Sequence, residues 1–184
     1  MQRVLIIGAA VLAVVVVATA GFAIHGYAAG DAGMPQAGQS APTFTLPSQD
    51  GSPVSLDSFK GKWVVLYFYP KDMTSGCTIE AHNFQRDLSK YDAVNAVVLG
   101  VSVDSVDSHK QFCTKDSLTF KLLADPDKNV VKQYGSLANM GVMQFAKRNT
   151  FLIDPSGKIV KVWTGVNPEH HSEEVLAELD SVKK

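Results

Sequence analysis

The sequence lacks an excess of charge of either sign. Its 17 Lys and Arg residues against 18 Asp and Glu residues give a formal net charge of −1. Nucleic-acid binding calls for a basic patch, and the chain has no run of Lys or Arg, which argues against that class. Low-complexity tracts and internal repeats are also missing. With 184 residues, 46% hydrophobic and 19% charged, the composition is that of one globular domain rather than a disordered chain.

Charge is absent altogether from Val4 to Ile24, directly after Arg3. One basic residue followed by an apolar run is typical of an export signal. The run is also long enough to span a bilayer as a hydrophobic helix, which takes about 20 residues. Small residues at Ala18-Thr19-Ala20 and Gly26-Tyr27-Ala28 offer cleavage sites. A cleaved signal peptide and a retained anchor therefore both stay open, and Arg3 predicts that the rest of the chain lies outside the cytoplasm.

Three regions follow from this pattern. Residues 1–25 are the signal peptide or membrane anchor. Residues 26–40 are small, Gly-rich and without a hydrophobic period, which predicts a flexible linker. Residues 41–184 form the domain.

Within this domain, strand and helix signals alternate. Two hairpin signatures have their turns at Ser48–Gly51 and Asp154–Gly157. Apolar runs predict two buried strands, at residues 63–69 and 96–103. Apolar residues at helical spacing predict three helices, at residues 76–91, 106–115 and 173–182. The order predicts an α/β fold in which helices flank a mixed central sheet, as in thioredoxin-like proteins.

The segment Pro70-Lys71-Asp72-Met73-Thr74-Ser75-Gly76-Cys77 lies where the first buried strand meets a helix. Cys77 then falls in the first helical turn, where unpaired N–H groups and the positive dipole end favour a thiolate. Thiolates rather than thiols attack peroxides. Thr74 is expected to place its hydroxyl beside the sulfur, and Pro70 to shield the site from water.

Glu80 lies one helical turn after Cys77, and a carboxylate there disfavours a thiolate unless a cation lies between the two. Arg148, at the start of a later strand, is the candidate cation. A guanidinium can bind a carboxylate and still direct N–H groups at sulfur and peroxide.

The pattern Pro-x3-Thr-x2-Cys resembles the active-site signature of the peroxiredoxin family. The flanking residues 69–72 and 77–81, and Arg148-Asn149-Thr150-Phe151-Leu152-Ile153-Asp154, resemble the peroxiredoxin Q, or bacterioferritin comigratory protein, subfamily. This resemblance covers residues 41–182. It implies that Cys77 is the peroxidatic cysteine, with Thr74 and Arg148 as activators, Pro70 as a shield and Glu80 orienting Arg148.

The chain departs from the subfamily pattern at two positions. His82 stands where many members carry a resolving cysteine, and Ser75 replaces the proline before Gly76. Some members resolve from the next helix, which makes Cys113 the expected resolving cysteine. Two other interpretations remain open. Cys77 and Cys113 could form a structural disulfide in a non-enzymatic exported domain, or Cys113 could be inert and an external thiol could resolve Cys77.

The resemblance implies a thiol-dependent peroxidase that acts on hydrogen peroxide and organic hydroperoxides. Cys77 would become a sulfenic acid, Cys113 would condense with it to a disulfide, and a thioredoxin-like protein would reduce that disulfide. No metal, flavin or haem is required, and a monomer or weak dimer is expected. Two alternative functions fit the sequence less well. A thioredoxin-like disulfide oxidoreductase needs a Cys-x-x-Cys motif, but Thr74 occupies the position of its first cysteine. A copper-binding module of the same fold would have only Cys77 and His82 as nearby ligands.

Overall fold

A computed structural model describes residues 33–183 of the chain. Nine strands are present in these residues: β1 (Thr45–Pro47), β2 (Pro53–Ser55), β3 (Trp63–Phe68), β4 (Ala96–Ser102), β5 (Lys121–Ala124), β6 (Leu137–Met140), β7 (Met143–Ala146), β8 (Asn149–Ile153) and β9 (Ile159–Thr164). Five helices accompany them: α1 (Ser75–Arg86), α2 (Leu88–Ala93), α3 (Val106–Asp116), α4 (Asn129–Gln133) and α5 (His171–Val182).

The main sheet has five strands in the order β5-β4-β3-β8-β9. The central strand β3 runs parallel to β4 and antiparallel to β8, while β4 and β5 are parallel and β8 and β9 antiparallel. This mixed sheet with helices confirms the thioredoxin-like α/β fold that the sequence predicted. The hairpin β1–β2 forms a separate two-stranded sheet.

Strand β3 is apolar at every position because hydrophobic clusters cover both of its faces. Val64, Leu66 and Phe68 belong to one cluster, and Val65 and Tyr67 belong to the other. This alternation follows the two-residue period of a strand. Complete burial of such side chains contributes about 1.5–3 kcal/mol each, so this strand anchors the domain.

The second cluster lies between the sheet and α1 and α3, and both cysteines belong to it. Gly100 of β4 makes room there for Tyr67. A Cβ atom at this glycine would lie 2.8 Å from the Tyr67 hydroxyl oxygen and 2.7 Å from Leu122 Cδ2. The small residue thus leaves room for the Tyr67 ring, which stacks on Phe84 of α1 with ring centroids 4.7 Å apart.

Two elements differ from the sequence prediction. The helix expected to run from Gly76 to Tyr91 ends at Arg86, because the buried carboxylate of Asp87 accepts hydrogen bonds from Arg86, Lys90 and Ser172 at the break. The hairpin β6–β7 was not predicted. Ala146 is the single buried residue of these two strands, so their sequence carries no alternation of buried and exposed side chains.

The predicted signal or anchor at Val4–Ile24 lies outside the described residues. Part of the expected linker is described: Gly38 donates to the Ile159 carbonyl oxygen at 2.7 Å, and Ser40 pairs with Lys158. These residues lie against the turn before β9. Between residues 33 and 183, no helix has both the length and the apolar character needed to cross a membrane.

Candidate active site

Sheet register brings Arg148 to the loop that carries the cysteine motif. Phe68, the last residue of β3, pairs with Asn149, the first residue of β8. Arg148 therefore lies beside the segment that leads from β3 into α1. The Arg148 carbonyl oxygen accepts a hydrogen bond from Val166 N at 3.2 Å, which fixes the backbone at this point.

Cys77 is the third residue of α1, and Thr74 is the N-cap residue. Its side chain is buried, with 1% of its surface exposed. Arg148 Nη2 donates to the sulfur at 3.4 Å. A positive guanidinium and the N-terminal turn of a helix are the surroundings that a peroxidatic cysteine requires, and the role of Cys77 stays a prediction.

The same guanidinium binds Glu80, as the sequence analysis expected. Arg148 Nη1 donates to Glu80 Oε2, while Nη2 is directed at Cys77. Burial raises the pKa of Glu80 to about 7, and the positive charge of Arg148 opposes that rise. Gly76 leaves room for the Arg148 guanidinium beside α1, because a Cβ atom at this position would lie 3.3 Å from Arg148 Nη2. The cation therefore lies between the two acidic groups, which offsets their mutual repulsion.

Thr74 and Pro70 belong to the loop before α1. The Thr74 hydroxyl donates to the Lys71 carbonyl oxygen at 3.0 Å rather than to a group at the sulfur, so it must leave this bond before it can donate to a peroxide. Pro70 is half-buried at the start of the loop. Between them, Met73 has a φ of 57°, a left-handed conformation that costs a non-glycine residue stability. The loop is thus held in a strained shape beside Cys77.

Cys113 lies in α3, and both cysteines are free thiols in this structure. It is 9% exposed and belongs to the same buried cluster as Cys77. Burial raises the pKa of Cys113 to about 11, with the Asp72 charge adding to the rise and Lys121 opposing it. At neutral pH Cys113 is therefore a thiol.

A buried hydrogen-bond network beneath the loop was not foreseen from the sequence. Asp72 Oδ1 accepts from the Tyr69 hydroxyl at 2.7 Å. Its other oxygen, Oδ2, accepts from Ser108 Oγ at 2.6 Å and lies 2.8 Å from His109 Nδ1. The network links the active-site loop to α3. No periodic pattern connects residues this far apart in sequence, so only the folded chain reveals it.

Comparisons with known proteins agree with this geometry. The profile of the AhpC/TSA family matches residues 37–162. A bcp protein of Coxiella burnetii is 46% identical over 150 residues, covering 78% of this chain and 98% of that protein.

Solved structures match at lower identity over a similar length. A cysteine-to-serine mutant of Xylella fastidiosa PrxQ superposes with a TM-score of 0.77 at 34% identity, covering 82% of this chain and 98% of the other. A cysteine-to-serine mutant of Xanthomonas campestris peroxiredoxin Q gives a TM-score of 0.75 at 33% identity, over 84% of this chain and all of the other. A second mutant of that protein changes another cysteine, and the two positions are separated by the same number of residues as Cys77 and Cys113.

Proposed function

We infer the reaction from one premise: this chain belongs to the AhpC/TSA family, as a peroxiredoxin related to the Bcp and peroxiredoxin Q proteins. It is accordingly a thiol peroxidase, an oxidoreductase that uses a hydroperoxide as oxidant. The observation that supports this activity at Cys77 is the pair of contacts made by Arg148. One guanidinium nitrogen donates to Glu80 and the other donates to the Cys77 sulfur.

We propose that the Cys77 thiolate attacks one oxygen of hydrogen peroxide or an organic hydroperoxide. The O–O bond breaks, the sulfur becomes a sulfenic acid, and the second oxygen leaves as water or an alcohol after taking up a proton. Arg148 supplies N–H groups next to the sulfur, where negative charge moves onto the leaving oxygen. Thr74 donates to the peroxide once its hydroxyl turns away from the Lys71 carbonyl oxygen. Pro70 covers the loop and limits access of water.

The resolving step is assigned to Cys113. Its thiol condenses with the sulfenic acid of Cys77 to give an intramolecular disulfide and water. Support comes from its membership of the same buried cluster as Cys77 and from the matching spacing of the mutated cysteines in Xanthomonas campestris peroxiredoxin Q. A thioredoxin or a membrane-tethered thioredoxin-like protein would then reduce the disulfide by thiol–disulfide exchange.

Mass spectrometry before and after one equivalent of hydrogen peroxide tests this cycle. The wild-type protein should lose the mass of two hydrogen atoms and yield one peptide pair joined through Cys77 and Cys113. Cys113→Ser should gain one oxygen, at Cys77. Cys77→Ser should remain unchanged, because a serine hydroxyl is not appreciably ionised at neutral pH. Turnover by Cys77→Ser above a tenth of the wild-type rate would rule out Cys77 as the reacting group.

A one-cysteine cycle is the second candidate, in which an external thiol resolves Cys77. The buried, un-ionised thiol of Cys113 is the observation that favours it. Full dithiol-driven turnover by Cys113→Ser would select this candidate. A disulfide between two chains in the oxidised wild type would count against intramolecular resolution without selecting an external thiol.

We also propose that the domain functions outside the cytoplasm. The uncharged run Val4–Ile24 after Arg3 supports export, either with cleavage or as an anchor. A reporter that fluoresces only in the cytoplasm, fused after Gly30, should be dark, and a bright fusion would contradict export. The mass of the mature protein then chooses between cleavage and anchoring.

A further inference from the structure

His109 of α3 is a fully buried imidazole whose two ring nitrogens have different surroundings. Nδ1 lies 2.8 Å from Asp72 Oδ2 and 3.3 Å from the Tyr69 hydroxyl oxygen. Nε2, by contrast, has no hydrogen-bond partner within residues 33–183. A buried polar atom without a partner lowers stability, so its presence at this point suggests a use in the reaction.

The partners of Asp72 determine which nitrogen carries the hydrogen. Burial acts to raise the pKa of Asp72, but the contact with His109, through its hydrogen bond and electrostatic attraction, and hydrogen bonds from Ser108 and Tyr69 outweigh burial and hold the pKa below its ordinary value. The carboxylate therefore has no proton to donate, and Nδ1 must be the donor to it. In the neutral ring the lone pair then resides on Nε2, the nitrogen without a partner.

Cys113 lies four residues after His109 on the same helix, and so on the same face. Side chains in a helix lean toward its N-terminus, which carries the Cys113 sulfur over the turn that contains His109. Asp72 lies close enough to Cys113 for its charge to affect the thiol. The nucleophile thus lies one helical turn after the imidazole, and the orienting carboxylate contacts the imidazole directly.

The resolving step needs a proton acceptor at this place. A thiolate attacks sulfur far faster than a thiol, and burial with the Asp72 charge raises the pKa of Cys113 to about 11. At neutral pH the proton must therefore be removed as the sulfur attacks.

We propose that His109 is the base that accepts the Cys113 proton during resolution, with Asp72 as the residue that orients it. This inference rests on the proposed function, because it concerns the step after Cys77 has been oxidised. The proton passes from Cys113 Sγ to His109 Nε2, and the thiolate sulfur attacks the sulfur of the Cys77 sulfenic acid. The new S–S bond forms as the S–O bond breaks, and the departing oxygen takes the proton from His109 and leaves as water.

Electrons balance between the two sulfur atoms. The sulfenic sulfur of Cys77 is reduced by one unit and the Cys113 sulfur is oxidised by one unit, so no other oxidant is required. Nε2 has no partner among the described residues of the reduced protein, so the proposed transfer requires local unwinding of α1 and α3 to bring Nε2 and both sulfurs together.

Three other titratable groups surround the imidazole. Asp72 faces it from the loop and Tyr69 from the residue after β3, and Cys113 lies one turn further along its own helix. Tyr69 keeps its proton, because burial raises its pKa well above the ordinary range. Asp72 is held as the anion. Of the groups near Cys113 in residues 33–183, the imidazole is therefore the one with a ring nitrogen left unbonded and able to accept a proton.

The test measures both chemical steps in the full chain by rapid quenching after one equivalent of hydrogen peroxide. A dione reagent traps the sulfenic acid, and peptide mass spectrometry counts sulfenic acid and disulfide. His109→Asn is the informative variant, because its amide nitrogen can still donate to Asp72 while the second ring nitrogen is gone. Ser105→Ala is the control: it removes the N-cap bond to Ser108 N, at 3.2 Å, and loosens the same helix without touching the imidazole.

At pH 7 we expect His109→Asn to form sulfenic acid at the wild-type rate and to form the disulfide at least about tenfold more slowly. Ser105→Ala should not slow the disulfide step. The deficit of His109→Asn should shrink as the pH approaches 10, because Cys113 then begins to ionise without help. A purely structural role for His109 would give a deficit that is the same at every pH.

The outcomes distinguish a failure of the proposed peroxidase function from a failure of the proposed role of His109. Absence of sulfenic acid in the wild type would overturn the proposed function itself. Normal sulfenic acid with disulfide formation at the wild-type rate in His109→Asn, or a deficit independent of pH, would overturn the role of His109 alone. If the variant does not fold, the wild-type profile decides: a disulfide rate that is level between pH 8 and 10 supports an imidazole base, and a rate that rises tenfold per pH unit refutes it.

Discussion

One side chain, Arg148, connects the carboxylate that lies beneath the site with the sulfur that reacts. Its planar guanidinium donates to Glu80 and Cys77 through different nitrogens, which a single ammonium group cannot reproduce. Burial acts to lower the pKa of Arg148, but the charges of Glu80 and Cys77 outweigh burial and raise it. The residue is therefore a permanent cation at the point where charge moves during peroxide attack.

Replacement of Arg148 should slow the first chemical step. We expect Arg148→Ala to lower the second-order rate constant for hydrogen peroxide by on the order of 10²-fold, because it loses a positioned donor and the charge that stabilises the thiolate. Arg148→Lys should recover little of the loss. Lys110→Ala, which removes an exposed positive charge from α3, is the control. Stopped-flow kinetics of Cys77 oxidation measures all three, and a rate for Arg148→Ala within threefold of wild type would contradict the assignment.

Glu80 should make the stability of the protein depend on pH. Burial raises its pKa from 4.5 to about 7, so the folded protein binds this proton more tightly than the unfolded chain does. The contribution is complete below pH 4.5 and is lost as the pH rises through 7. Glu80→Gln has no such group. The free energy of unfolding of the wild type relative to Glu80→Gln should therefore fall by up to about 3 kcal/mol over this range and stay level above pH 8.

Urea unfolding of both proteins, with reductant present, measures this difference. If the free energies of unfolding of the two proteins differ by the same amount at every pH from 4.5 to 8, the Arg148 contact, rather than burial, sets the ionisation of Glu80.

At the scale of elements, α1 and α3 are held together by side-chain bonds that the reaction must disturb. His82 Nε2 lies 3.0 Å from Asp116 Oδ1. Gln85 Oε1 accepts from Thr119 N at 2.7 Å, just beyond the end of α3. These bonds hold the helix of Cys77 against the helix of Cys113 in the reduced form. Disulfide formation has to shift or unwind one of them, so each bond adds to the barrier.

His82→Ala should accelerate disulfide formation for this reason. Pairs between partly exposed side chains are worth about 0.2–1 kcal/mol, so we expect an increase of no more than about fivefold. Peroxide attack on Cys77 should be unaffected. His170→Ala, an exposed histidine before α5, serves as the control. Quenched-flow counting of the disulfide gives the rate, and a slower rate in His82→Ala would mean that this contact guides the two sulfurs together.

The sequence predicted the buried strands correctly because burial on both faces requires hydrophobic residues at every position. Strands β3 and β4 lie between two apolar layers, so their sequences are unbroken hydrophobic runs and were recognised as such. The break at Asp87 was missed because it depends on Arg86, Lys90 and Ser172, which lie on different elements. In the site, the meeting of Arg148 with Glu80 was expected from family resemblance and fold, not from spacing. The contact between Asp72 and His109 had no signal, since it depends on how α3 crosses the loop.

At the scale of the whole molecule, the sheet and the two cysteine helices have different parts in the reaction. Both cysteines lie in the cluster between the sheet and α1 and α3. A disulfide requires their Cα atoms within about 7 Å, and the cross-link constrains the unfolded chain by an estimated 3–5 kcal/mol for a loop of this size. Helix packing that is lost on unwinding offsets this gain. We therefore expect that a dithiol protein can reduce the disulfide and that the hydrogen bonds of the sheet stay intact on oxidation.

Hydrogen–deuterium exchange of reduced and oxidised protein tests this division. Oxidation should increase exchange in α1 and in the second half of α3, because their backbone hydrogen bonds open, while β3, β4 and β8 stay protected. Cys113→Ser treated with one equivalent of peroxide is the control. It carries the oxidised Cys77 without the cross-link, so its helices should exchange as in the reduced protein. Increased exchange in this variant would show that oxidation of Cys77 alone releases the helix. Unchanged exchange in the disulfide form would mean that the two sulfurs meet without unwinding, and the His82–Asp116 contact would then not affect the rate.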